Sequence, residues 1–210
     1  LRRTSLAAIR ILLAFAPNAR LDAVLTIAAQ SFAKGQLSAD VVTTVKAYLL
    51  DRLPAHYEEQ GISIDTLRSV TSVGTESLGD IDLRTLAVAE FAGSEAADAL
   101  AAANKRVANI LAKVDEVVPE INTSYFDAQA EIALHASLAD CKRALVGAVA
   151  ERDYAKALAH LSALRDDVDQ FFDSVLVNAE NTAVRLNRLA LLKDLRGQFL
   201  QVADLAVLAR

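Results

Sequence analysis

Apolar residues recur at three- and four-residue spacing along almost the whole chain, the period of helices that bury one face. The pattern breaks where Pro, Gly, Ser and Asn gather, and it predicts nine or ten helices. The first two run over Ser5–Phe15 and Leu21–Ala33, parted by Pro17-Asn18 and ended by Lys34-Gly35. A third starts after Ser38 and continues through Val45, Leu49 and Leu53 towards Gln60, with a kink or restart at Pro54. A short one follows Ser63 and carries Leu67 and Val70. Thr71–Gly79 is the least regular stretch and reads as a linker or long loop, after which Asp80–Phe91 is helical up to the Gly93-Ser94 stop and restart. Four longer helices complete the chain over Glu95–Val114, Asp127–Ala150, Tyr154–Val177 and Ala183–Leu208. The expected architecture is all-α: a helical body segment over 1–79, then a helical bundle over 80–210.

Composition narrows the class further. Hydrophobic residues make up 53% of the 210 but aromatics only 5%, with 7 Gly and 3 Pro, so Ala, Leu and Val dominate and collagen-like, disordered and all-β readings drop out. The longest apolar run, Ile11–Pro17, is far below the roughly 20 residues a bilayer span needs. Arg10 interrupts the early apolar stretch and no small-residue cleavage site follows, so Leu1–Ala16 reads as a core helix, not a leader. A single cysteine, Cys141, permits no internal disulfide and points to a reducing, cytoplasmic setting. A first residue of Leu and the lack of Met suggest part of a longer polypeptide.

Charge is uneven along the chain. The total is −5, but Glu151–Asn181 sets seven acids against three bases, whereas Arg185, Arg188, Lys193, Arg196 and Arg210 beyond it oppose only Asp194 and Asp204. Opposite charges on neighbouring helices would attract if the helices pack. Over Glu95–Val114 the helical wheel separates cleanly: Lys105, Arg106, Asn109 and Lys113 fall within about 100° of one another, with Leu100, Val107, Ile110, Leu111 and Val114 opposite. That ridge is either a solvated face or a track for a phosphate backbone, with Asn109 able to reach base edges. On the last helix Arg185, Arg188 and Arg196 overlap Leu189 and Leu192. Arg185 and Arg196 are therefore expected either to snorkel from an apolar interface or to pair with acids such as Asp166, Asp167, Asp169 or Asp173, leaving Arg188 and Lys193 freer to meet a ligand.

Catalytic patterns are missing. His56, His135 and His160 stand apart without metal-ligand spacing, Cys141 reads as a small packed hydrophobe, and Gly74 with Gly79 makes no phosphate loop. Phe171, Phe172, Phe199 and Tyr154 follow core spacing with Leu161, Leu164, Val168 and Val175. No catalytic residue, metal or cofactor is assigned to this stretch.

Two segments resemble a known family. Ala-Leu-Ala-Ala-Ala-Asn-Lys-Arg-Val-Ala-Asn-Ile-Leu-Ala-Lys, at Ala99–Lys113, is similar to the signature of the bacterial glycyl-tRNA synthetase β subunit. Leu164-Arg165, Val168–Val175 and Arg185–Leu192 resemble the end of that subunit and the helical DALR-type anticodon-binding domain, while Leu1-Arg2-Arg3, Ile9–Leu12 and Tyr48–Leu53 fit the helical body before it. The methionines the family carries around Val175–Val177 and its Asp-rich loop near Glu180 are replaced here. The resemblance implies the C-terminal, non-catalytic part of an α2β2 ligase that joins glycine to its tRNA. ATP and magnesium would serve in the α-subunit active site, with no cofactor in this part, no DNA and no membrane. The implied partners are the anticodon arm of glycine tRNA, the α subunit and the rest of the β subunit.

Glycine anticodons end in two cytosines. Lys105, Arg106 and Lys113 would then neutralise phosphates while Asn109, Asn187 or Arg188 donate to cytosine N3 and O2, and an acid or main-chain carbonyl takes the exocyclic amine. The alternative is a helical protein-interaction or assembly scaffold indifferent to RNA. In its favour stand the acidic net charge, the scarce aromatics and the single stretch at Tyr154–Leu164 that resembles half a tetratricopeptide unit.

Overall fold

The computed structural model describes residues 2–74 and 77–209; Leu1, Thr75, Glu76 and Arg210, which belong to the body motif, the expected linker and the basic tail, lie outside them. Among the described residues the fold is all-α. Its helices are α1 (Arg2–Phe15), α2 (Leu21–Ala29), α3 (Val41–Leu50), α4 (Leu53–Glu58), α5 (Ile64–Thr71), α6 (Leu78–Phe91), α7 (Glu95–Leu111), α8 (Gln129–Ala150), α9 (Tyr154–Ser162), α10 (Arg165–Ser174) and α11 (Thr182–Leu200), with 3-10 turns at Thr123–Tyr125 and Leu205–Leu208. None of these helices is long and apolar enough to cross a membrane.

Local chemistry explains most boundaries. Ser63 Oγ accepts from Thr66 N at 3.1 Å to start α5, and Ser77 Oγ accepts from Asp80 N at 3.2 Å, so α6 begins ahead of the expected Asp80. Pro54 sits in the first turn of α4, where its missing N–H costs nothing, and the chain restarts there as the sequence suggests. Ser94 holds the N-cap position of α7 without a side-chain bond.

Two long helices are shorter than their periodicity implies. The expected Tyr154–Val177 helix breaks after Ser162; Asp166 and Asp167 lie in the first turn of α10, where acids suit the positive end of a helix. The last helix stops at Leu200 instead of Leu208. Arg84 on α6 donates from Nη1 to Gln201 O at 2.6 Å and Val202 O at 2.8 Å, satisfying carbonyls that would otherwise invite another turn. Asp204 then caps the following turn by accepting from Ala206 N at 3.2 Å, while its own N–H donates to Ser69 O at 2.8 Å.

Arg84 also bonds Asp80 at 2.8 Å and lies 4.3 Å over the Tyr154 ring, whose hydroxyl donates to Asp80. Burial first, then the Asp80 bond, pushes the Tyr154 hydroxyl up to about 12. This group ties α6, α9 and the end of α11 together.

One hydrophobic cluster runs through the described residues, from Ile9 and Leu53 through Leu134, Leu145, Leu161 and Phe171 to Leu191 and Phe199. Helix α6 packs against α1 and α5 on one side and α9 on the other, and the Leu205–Leu208 turn folds back between α5 and α7. Phe171, Phe199 and Tyr154 are buried as their spacing implies. Cys141 is buried too, and that burial pushes its thiol up to about 11.

Gly79, at the end of that irregular stretch and in the first turn of α6, lies tight against the chain. Its N–H donates to Pro17 O at 3.0 Å, and a Cβ there would overlap that oxygen and lie 2.6 Å from Pro17 Cβ. Gly79→Ala is therefore expected to lower the unfolding free energy by about 2 kcal/mol, because backbone has to move. Gly197 in α11 has open space around it, so Gly197→Ala should instead raise stability by roughly 0.5–1 kcal/mol through helix propensity. Urea titrations that give both substitutions the same sign would contradict this packing.

Candidate nucleic-acid interface

Helix α7 divides as its periodicity implies. Leu100, Ala101 and Val107 are buried against the fold, and Asn104 is buried beside them with its amide donating to Leu100 O at 3.0 Å. On the opposite side Lys105, Arg106, Asn109 and Lys113 are all exposed. They line one wall of a cavity of about 780 Å³. The facing wall is the Val175–Asn178 segment between α10 and α11 together with Arg185 and Leu189, and Asp115 and Glu116 line the same cavity.

The four side chains are differently prepared. Arg106 lays its guanidinium 4.1 Å over the Phe172 ring, which fixes the plane of the charge. Lys105 Nζ donates to Ala209 O at 2.9 Å from an exposed position. The side chains of Asn109 and Lys113 make no hydrogen bond or ion pair among the described residues. Across the cavity one terminal nitrogen of Arg185 donates to both oxygens of Glu116, each at 3.0 Å. Four cations thus face two carboxylates, so the cavity keeps a positive balance although the whole chain is acidic.

Asn187 and Arg188 lie outside this cavity. Asn187 is 2% exposed; its Oδ1 accepts from Asn122 N at 2.7 Å, and its buried Nδ2 has no hydrogen-bond partner among the described residues. Arg188, placed by the wheel at a free edge, is 6% exposed. It donates from Nε to Glu131 Oε1 at 3.0 Å, from Nη2 to Oε2 at 3.3 Å, and from Nη1 to Leu176 O at 2.9 Å. The wheel gave its angle about α11 correctly, but α8 packs over that edge and supplies a fully buried carboxylate. Lys193 does remain exposed, on a separate cleft beside Pro119 and Asp194.

Glu131 carries a structural load that the sequence reading passed over. Its Oε2 also accepts from Asp127 N at 3.0 Å and Ala128 N at 2.8 Å, holding the start of α8. Burial alone would raise its carboxyl, but the Arg188 guanidinium and those two amides outweigh burial and hold it below the usual carboxylate range. A Glu three residues after the N-cap position was the available signal. The remaining arginines pair as expected in kind but with other acids. Arg185 takes Glu116, and Arg196 takes Asp204 through bonds of 3.2 and 2.8 Å, not the aspartates of α10.

Over 209 residues, 99% of its length, the chain is 43% identical to the glycine--tRNA ligase beta subunit of Ectopseudomonas mendocina (strain ymp), and 42% identical to that of Pseudomonas aeruginosa (strain LESB58). The chain spans 31% of the length of each of these relatives. A family model described as the DALR anticodon binding domain matches residues 100–205. That match takes in every charged side chain of the cavity, both of its walls and the buried Arg188–Glu131 pair behind them. Covering half of the 210 residues, it establishes that the chain belongs to the DALR anticodon-binding domain family.

Proposed function

We propose that this chain is the tRNA-gripping part of a glycine–tRNA ligase β subunit, and that it holds the anticodon arm of glycine tRNA in the cavity between α7 and α11. Aminoacylation itself, with its ATP and magnesium, falls in this reading to the α subunit of an α2β2 assembly, and this chain supplies recognition alone. The observation that carries the reading is the convergence of Lys105, Arg106, Asn109 and Lys113 on one cavity inside the family's matched segment.

The physical logic follows from those groups. A volume of about 780 Å³ suits a nucleotide-sized guest. Sequence-specific RNA readers take unstacked bases from loops, stacking them on planar groups and hydrogen-bonding their edges. Arg106, pinned against Phe172 on one face, presents its other face for such a base, while Lys105 and Lys113 meet the phosphates on either side along the helix. Asn109, its amide uncommitted, takes the base-edge role for which Asn187 and Arg188 are too deeply buried. Contacts to the partner subunit fall to the N-terminal region, where Ile11, Phe15 and Ile27 on α1 and α2 and Phe32 in the loop after α2 are 58%, 84%, 66% and 55% exposed.

Fluorescence anisotropy with a glycine-tRNA anticodon stem-loop, and with loops in which either cytosine is replaced, tests the reading across a salt series. Binding should fall with salt and weaken by about 1–3 kcal/mol for each wrong base. Equal binding to every loop, or none, would return the chain to a scaffold role.

A further inference from the structure

Glu116 is out of place in a groove that only neutralises phosphate. It lies just beyond the end of α7, on the same cavity as Lys105, Arg106 and Lys113, where its charge opposes the approach of any phosphate. It is also held still, since one nitrogen of Arg185 donates to both of its oxygens at 3.0 Å. The side chain nonetheless stays 53% exposed, and neither oxygen has another partner among the described residues. A carboxylate offers about four acceptor directions, so lone pairs remain open towards the cavity. Ile110, Leu176 and Leu189 add apolar surface to the same space, and Leu176 is 73% exposed there. A fixed carboxylate acceptor beside apolar walls and a cationic rim suits the amino edge of a base whose phosphates lie on the rim.

We propose that Glu116, positioned by Arg185, accepts a hydrogen bond from the exocyclic amine of an anticodon cytosine and so sets the base specificity of the cavity. The inference rests on the tRNA reading above. Uracil has the same shape but carries a carbonyl where cytosine carries the amine, and two facing acceptors repel. Arg185 acts through Glu116 and is a positioning residue.

The test compares the chain with its Glu116→Gln variant on stem-loops carrying cytosine or uracil at each of the two anticodon positions. Removing the negative charge will strengthen binding to all RNA alike, so the readout is the cytosine-to-uracil affinity ratio. At one of the two positions that ratio should fall by about tenfold in Glu116→Gln, the scale of one charge-assisted bond, because the new amide also donates to the uracil carbonyl. Circular dichroism should be unchanged, since Glu116 is half exposed in a loop. Salt-dependent binding with unaltered ratios at both positions would overturn the role of Glu116 while leaving the tRNA reading standing. If the unsubstituted chain binds none of the loops, the tRNA reading fails and this inference with it.

Discussion

Arg188→Ala is expected to lower the unfolding free energy by about 3–5 kcal/mol, the range seen when one member of a buried ion pair is removed. Glu131 is fully buried and Arg188 nearly so, with side-chain exposures of 0% and 7%. Truncation would strand the carboxylate away from water and release Leu176 O as well. The loss spreads across three elements, because Glu131 fixes the N-terminus of α8 and Arg188 ties α11 to the segment after α10. Replacing both residues together by Leu or Met should recover part of the stability, since no orphaned charge then remains while Leu176 O and the Asp127 and Ala128 amides still lose their partners.

The pH dependence has a definite sign. A carboxyl held below its ordinary value contributes stability that is present above about pH 4.3, the value in the unfolded chain, and is lost as pH falls through the folded value below that. In Arg188→Ala the guanidinium's share of that restraint is lost while burial stays and only the two amides still oppose it, so the Glu131 carboxyl rises and the acid limb of the stability curve should move to higher pH. Urea titrations between about pH 3 and 7 would check both effects. A cost below about 1 kcal/mol would mean that the pair is hydrated, not buried.

Neutralising Lys105, Arg106 and Lys113 together by alanine should weaken stem-loop binding about 100-fold near 0.1 M salt, if each meets one phosphate of a single-stranded loop. The slope of log affinity against log salt should flatten by about 2 at the same time. Stability should change little. The folded chain loses only the Arg106 contact with Phe172 and one exposed bond from Lys105, each worth about 1 kcal/mol or less. An unchanged slope would show that this ridge meets only solvent. Opposite profiles for the two substitutions, stability without affinity for Arg188 and affinity without stability for the ridge, would separate the groups that build the cavity from those that use it.

Local periodicity and local chemistry were enough to read the helical class, the restart at Pro54, the short helix after Ser63 and the division of α7 into a buried face and a cationic ridge. Each depends on residues within a turn or two of one another, and side-chain direction around a helix follows from spacing alone. Other features required the docked fold. The stop of α11 depends on Arg84, 117 residues earlier; the fate of Arg188 depends on Glu131, 57 residues away; and Arg185 meets Glu116 across 69. A wheel gives the angle of Arg188 about its own axis, but burial is set by what lies opposite, and that is settled when α8 packs over that edge. Gly79 shows the same division, since its place in an irregular stretch is visible in the chain while the need for glycine comes from the Pro17 backbone lying against it. Sequence therefore determined which groups the chain carries and how each helix orients them. Tertiary packing decided which charges were withdrawn into pairs and which were left open around a cavity, because an ion pair's partner is chosen by distance in space.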